Sequence, residues 1–191
     1  TGSLIRRREG DKIKTVGKKG LKYNPVPSPS DDKFAASEYL VAGRTRLDIL
    51  DNSGKVLQSY NVPDSLQLVQ TAWIGDNDIY ASGVSENGYG IYHINLSEGR
   101  WSNALNPQPL MIKNLRSYNG EIIFTSDRTG VNELYHLDPN SGKLTQKTSI
   151  RHGGEEFCYS PDGKYLYYTA LTMKGNLVFR TPVEELMDKE T

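Results

Sequence analysis

Phe157-Cys158-Tyr159-Ser160-Pro161-Asp162-Gly163-Lys164-Tyr165-Leu166-Tyr167-Tyr168 reads as strand, tight turn, strand. Aromatic residues fill both arms, which suits a pleated, half-buried surface. Ser160–Gly163 carry turn chemistry: Pro presets φ, Asp bonds back to the backbone, and Gly accepts positive φ. This turn has counterparts along the chain. Asp32, Asp76, Asn119 and Asp162 stand 44, 43 and 43 residues apart (76−32, 119−76, 162−119). A near-constant step of this size, with four strands in each step, is the signature of a β-propeller blade.

Working outward, residues 1–20 form a lone hairpin, Leu4–Arg8 and Lys12–Val16 about Glu9-Gly10-Asp11. Four blades of one propeller domain follow, at 21–62, 63–106, 107–150 and 151–191. The third is the clearest: Leu110–Ser117, the turn Asn119-Gly120, Glu121–Ser126, Asn132–Leu137, and a last strand at Lys143–Ile150. Asn-Gly between apolar runs is a strong hairpin signal. The last unit has strands at Glu155–Tyr159, Lys164–Ala170 and Asn176–Arg180, then a Thr-capped, Pro-started helical turn at Thr181–Met187 and no fourth strand. The expectation is an all-β propeller segment: about four four-stranded antiparallel blades plus an N-terminal hairpin. Either the chain is a fragment of a larger ring, or the hairpin supplies the strand missing from the last blade and closes a small ring. The fragment is favoured, because repeats that touch only their neighbours can be excised as a stack. An open stack exposes apolar surface, so self-association through open blade edges is expected.

The chain has 191 residues with 36% hydrophobic content, and its 12 Tyr and 18 Gly suit short strands between turns. Lys+Arg and Asp+Glu are both 23, which argues against a domain-wide pull on nucleic acid. Yet residues 1–22 hold eight basic residues against Glu9 and Asp11, a net of +6 (8−2). A polyanion patch is one reading. Solvated faces protecting an exposed hairpin edge are the favoured one, since the Arg6-Arg7-Arg8 triplet lacks aromatic interleaving. Cys158 is the sole cysteine, so neither an internal disulfide nor a thiolate metal cluster is available. Its apolar neighbours suggest a buried small hydrophobe. No apolar run reaches membrane-spanning length and no signal peptide opens the chain; the start, Thr1-Gly2-Ser3, reads as the middle of a longer protein.

Two stretches carry a family resemblance. Ser160-Pro161-Asp162-Gly163-Lys164 within its aromatic strands resembles the repeat of TolB-type propellers. Phe124-Thr125-Ser126-Asp127-Arg128-Thr129-Gly130, followed by Glu133-Leu134-Tyr135 and Asp138, resembles a second stretch of that family. The resemblance covers about residues 21–180 and is looser in the first two blades, where Ser30-Asp31 and Gly75-Asp76 replace the Pro-Asp-Gly turn. It implies one of two classes: a protein-binding platform in the periplasm of Gram-negative bacteria, or the substrate-gating propeller of a prolyl-oligopeptidase-like or tricorn-like peptidase. Fold alone does not choose between them.

Catalytic signatures are absent from the sequence. Gly83-Val84-Ser85-Glu86-Asn87 fails as a nucleophile elbow at its last position, and neither His-Glu-x-x-His nor Cys-x-x-Cys occurs. His93 and His136 stand 43 apart (136−93), each after a Tyr. A position shared between repeats points to the fold rather than to a metal, and no carboxylate stands beside them at ligand spacing. No cofactor is expected. The chain reads as a non-enzymatic platform for a protein or peptide in the cell envelope, without nucleic acid and without membrane insertion. Binding residues are sought at the ends of the first strand of each blade and in the connections between blades. Trp73, Arg116, Tyr118, Asp127, Arg128, His152 and Glu155 are the candidates, since Arg, Tyr and Trp dominate protein interfaces.

Overall fold

The computed structural model describes residues 2–191. They form two compact units, one ending at Pro107 and one spanning Gln108–Thr191.

In the first unit, β1 (Ser3–Glu9) and β2 (Lys12–Gly20) form an antiparallel two-stranded sheet. A four-stranded sheet follows in simple order: β3 (Lys22–Pro27), β4 (Lys33–Tyr39), β5 (Thr45–Asp51) and β6 (Val56–Asn61). A second one repeats it: β7 (Gln67–Ile74), β8 (Asp78–Ser85), β9 (Gly88–Asn95) and β10 (Arg100–Gln108). Strand alternation makes these layers. Ala35 and Ala36 are both fully buried (0% exposed) yet belong to different clusters. Ala35 packs with Leu47, Ile49, Ile79 and Ile94 between the two four-stranded sheets. Ala36 packs with Phe34, Leu50 and Val16 of the hairpin. The first sheet is thus covered on both faces, and small side chains let its neighbours close in. Each fully buried Leu or Ile here contributes about 1.5–3 kcal/mol.

In the second unit, one sheet runs β11 (Ile112–Tyr118), β12 (Glu121–Ser126), β13 (Glu133–Leu137), β14 (Leu144–Gln146). The other runs β15 (Glu155–Tyr159), β16 (Tyr165–Thr172), β17 (Gly175–Pro182). Ile123, Leu134, Phe157 and Leu166 form the core between them. The turn at Ser160 behaves as its residues dictate. Gly163 has φ +69°, and Asp162 Oδ1 accepts from Ser160 Oγ at 2.6 Å and from the Lys164 N–H at 3.2 Å. A short 3-10 turn at Val183–Glu185 occupies the stretch expected to be helical.

Three expectations need correction. The last strand of the third repeat is only Leu144–Gln146, not Lys143–Ile150. Glu133 explains this: its side chain is 2% exposed and takes the Ile150 N–H at 2.6 Å and the Thr148 hydroxyl, while Thr148 Oγ1 takes the Leu134 N–H. Side-chain bonds replace the ladder there, and burial raises the Glu133 pKa. Second, the last sheet has three strands as expected, but a further strand does follow: the chain returns to the third repeat, where β18 (Lys189–Glu190) pairs with β14 as a fifth strand. Third, Cys158 is exposed. It lies opposite Tyr167, on the face of the last sheet away from Phe157.

The two repeated histidines serve the fold, each through a carboxylate that also repeats (121−78=43). His93 Nε2 lies 2.7 Å from Asp78 Oδ1, and its ring stacks on Tyr80. His136 is buried, 2.7 Å from Glu121 Oε2 through Nδ1 and 2.9 Å from Tyr159 Oη through Nε2. A carboxylate does stand beside each ring, then, one strand away rather than at ligand spacing in sequence.

Candidate functional site

The second unit holds a polar groove of about 480 Å³ where β11 and β15 begin. Both strands bulge there. The β11–β12 register slips between Lys113 and Arg116, and the β15–β16 register between Glu155 and Cys158. Inside the bulges Asn114 has φ +57° and Glu156 φ +52°. Asn tolerates this left-handed region; Glu there costs about 1–2 kcal/mol. The bulges bring consecutive side chains, Lys113 with Asn114 and Glu155 with Glu156, into the lining of one groove.

Glu155 organises the floor. Its Oε1 accepts from Lys113 Nζ at 2.7 Å and from Asn132 Nδ2 at 2.6 Å. Asn132 is fixed in turn, because its carbonyl accepts the Gly154 N–H at 2.7 Å. Gly153 makes this approach feasible: φ is +76°, and a Cβ would sit 2.9 Å from the Asn132 nitrogen. His152 is exposed at the mouth, and Asn176 of β17 closes the far side. The result is one ion pair and the Glu156 carboxylate, flanked by amide and imidazole groups. Such a lining can take up N–H and C=O groups of an extended chain and one charge of either sign. Among the described residues, no group of three or more His, Cys, Asp or Glu side chains could hold a metal ion.

The residues singled out from sequence fall in different places. His152 and Glu155 line the groove. Asp127 follows β12 and accepts the Met111 N–H at 2.8 Å, which orders the connection into β11. Arg128, next along, is half-buried; it makes no ion pair with Asp127, and its Nε has no hydrogen-bond partner among the described residues. Arg116 and Tyr118 lie toward the other end of β11, where Tyr118 pairs with Glu121 and stacks on Tyr159 at 4.0 Å. Trp73, in the first unit, is 3% exposed and donates Nε1–H to the Val26 carbonyl at 3.0 Å. It is a core residue with no face to offer a partner. Lys113, Asn114, Asn132, Glu156 and Asn176 were missed. A signal existed: Lys113-Asn114 and Glu155-Glu156 are adjacent polar pairs 42 apart (155−113) that break strand alternation, as a bulge does.

No family model and no curated protein matches the chain at a significant level. Solved structures do. TolB from Acinetobacter baumannii superposes with a TM-score of 0.73 at 19% identity, over 98% of this chain and 47% of its own. A putative TolB from Agrobacterium tumefaciens gives 0.72 at 15%, over 98% and 73%. A puromycin-hydrolyzing peptidase of Mycobacterium tuberculosis gives 0.70 at 12%, over 93% and 30%. The chain is therefore an all-β protein with a TolB-type β-propeller fold. It spans about half the length of the first of these structures and under a third of the peptidase.

Proposed function

We propose that the chain is a non-catalytic platform that binds a protein or peptide segment in the bacterial cell envelope, with the groove at Glu155 as its contact site. The carrying observation is the groove itself: a preorganised Lys113–Glu155–Asn132 cluster beside two left-handed residues. Strain of that kind concentrates at functional sites. The polar lining suits a peptide backbone better than an apolar ligand. Fold likeness to TolB structures supports an envelope location, and no helix among the described residues is long and apolar enough to cross a membrane. Asp127 and Arg128, beside the connection into β11, belong to the rim of this site in our reading; Tyr118, stacked on Tyr159, serves packing.

The second reading, a substrate-gating propeller of a larger peptidase, draws on the likeness to puromycin-hydrolyzing enzymes. A hydrolase domain with a nucleophile elbow in the same reading frame would favour it.

The test is selection of random displayed peptides on the immobilised chain, followed by affinity measurements on the enriched sequence. Binding should fall about tenfold in Glu155→Gln, the worth of one charge-assisted hydrogen bond, and less in His152→Ala. Failure to enrich any sequence, or equal affinity in Glu155→Gln, would overturn the assignment.

A further inference from the structure

A second cavity, of about 530 Å³, lies in the first unit between the hairpin and the β5–β6 turn. Its construction is specific. The β1–β2 register runs Ser3↔Gly20 and then Ile5↔Val16, so Gly17-Lys18-Lys19 bulge out of the strand. The bulge is anchored to the next turn: the Gly17 N–H donates to the Ser53 carbonyl at 3.1 Å, and Gly17 and Gly54 touch backbone to backbone. Both glycines have positive φ. Bulges re-aim side chains, and this one sets Lys18 and Lys19 into the same cavity lining as Lys22 and Lys55.

Lys22 is neutralised. It pairs with Asp48 and with Glu38 at 2.9 Å, and Arg46 pairs with both carboxylates as well. Two cations thus balance two anions. Lys18, Lys19 and Lys55 make no ion pair among the described residues. Three lysines without an ion-pair partner therefore line one cavity whose only carboxylate, Glu38, is already paired with Lys22 and Arg46. Elsewhere on the hairpin, by contrast, Lys14 pairs with Glu9, and Arg7 with Glu9 and Asp31.

The geometry points to a binding site for clustered phosphate groups, formed by Lys18, Lys19 and Lys55 on the Gly17–Gly54 contact. Lysines answer phosphate as compact point charges with three donors each, and need no fixed fork geometry. The bland account, solvated edge-protecting lysines, explains neither the anchored bulge nor convergence on a cavity. Nothing aromatic lines it for base stacking, which sets nucleic acid aside.

The phosphates can be free in solution or carried by a lipid surface, so the experiment has two arms. Inorganic tripolyphosphate is titrated into the chain by calorimetry at low and at raised salt. Vesicles of phosphatidylglycerol or of phosphatidylcholine are tested by co-sedimentation. One-to-one, salt-sensitive binding of tripolyphosphate is expected. It should weaken about tenfold in Lys55→Gln and further in Lys18→Gln/Lys19→Gln, one charge-assisted bond or more each. Lys12→Gln/Lys174→Gln, which removes two charges outside the cavity, should leave it unchanged. Retention by phosphatidylglycerol vesicles alone, lost in the same cavity variants, would support the site and assign its phosphates to a membrane surface. Absence of binding in both arms, or equal loss in the Lys12/Lys174 control, would overturn the proposal and leave diffuse charge.

Discussion

His136 shows what one residue does in a repeat. Its ring bridges Glu121 of β12 and Tyr159 of β15, so it ties one sheet to the next. Burial holds its pKa below the ordinary value of 6.5, although Glu121, and more distantly Asp188, pull the other way; Lys147 adds to the depression. The unfolded chain therefore takes up the proton first as pH falls. Stability from this group is fully present above about pH 6.5, the unfolded value, and is lost as pH drops toward the lower folded value. The loss is at most about 1.4 kcal/mol for each pH unit of that window. Urea unfolding of the second unit at a series of pH values should show this slope in the wild type and a flatter profile in His136→Gln. An equal slope in both would assign the acid sensitivity to other groups.

At the scale of elements, turns were legible and irregularities were not. Ser160-Pro161-Asp162-Gly163 and Asn119-Gly120 declare themselves because each residue answers a backbone requirement of its own position. The bulges at Asn114 and Glu156 depend on how a strand meets its partner, and only the broken polar alternation hinted at them. Of the proposed groove, Glu155 and His152 stood among the sequence candidates because they lie at the entry to a repeat, while Lys113 and Asn132 did not. The strap β18 was invisible, since two residues, Lys189-Glu190, pair through backbone and through Lys143–Glu190 and Lys147–Asp188 contacts. Gly54 illustrates the same dependence. Its sequence context announces a turn, but the reason it must be glycine is the Gly17 backbone, which a Cβ there would strike. Gly54→Ala should cost about 2–3 kcal/mol, in the upper range for single changes, because backbone must shift. Gly10→Ala has φ +58° but open space, and should cost only the conformational strain of about 1–2 kcal/mol. Hydrogen exchange at Val16 and Gly17 reads the difference: rapid exchange confined to the hairpin in Gly54→Ala, near-normal protection in Gly10→Ala. Identical protection in the two variants would mean that the hairpin does not depend on this contact.

At the scale of the whole chain, the governing fact is that stacked sheets need a neighbour on each face. The first four-stranded sheet has one on each side, as Ala35 and Ala36 record. Among the described residues, the last sheet does not. Cys158, Tyr167 and Arg180 lie across from one another on its outward face, and Val178, in the same alternation, is 72% exposed. Strand β17 pairs only with β16, so its other edge presents unsatisfied backbone donors and acceptors among the described residues. An open edge bordering exposed apolar side chains is a template for another chain. A second copy of this chain is the occupant always available in a purified sample, so concentration-dependent self-association is the expected behaviour. Sedimentation velocity over a wide concentration range should show it. Val178→Lys with Tyr167→Lys places two charges on that face and should restore the monomer while leaving the β15–β17 core, led by Phe157 and Leu166, intact. Maleimide labelling of Cys158 gives the second readout: fast in dilute wild type, slowed as association proceeds, and fast at every concentration in the double variant. A wild type that stays monomeric throughout, or association that survives the two lysines, would show that this face needs no cover.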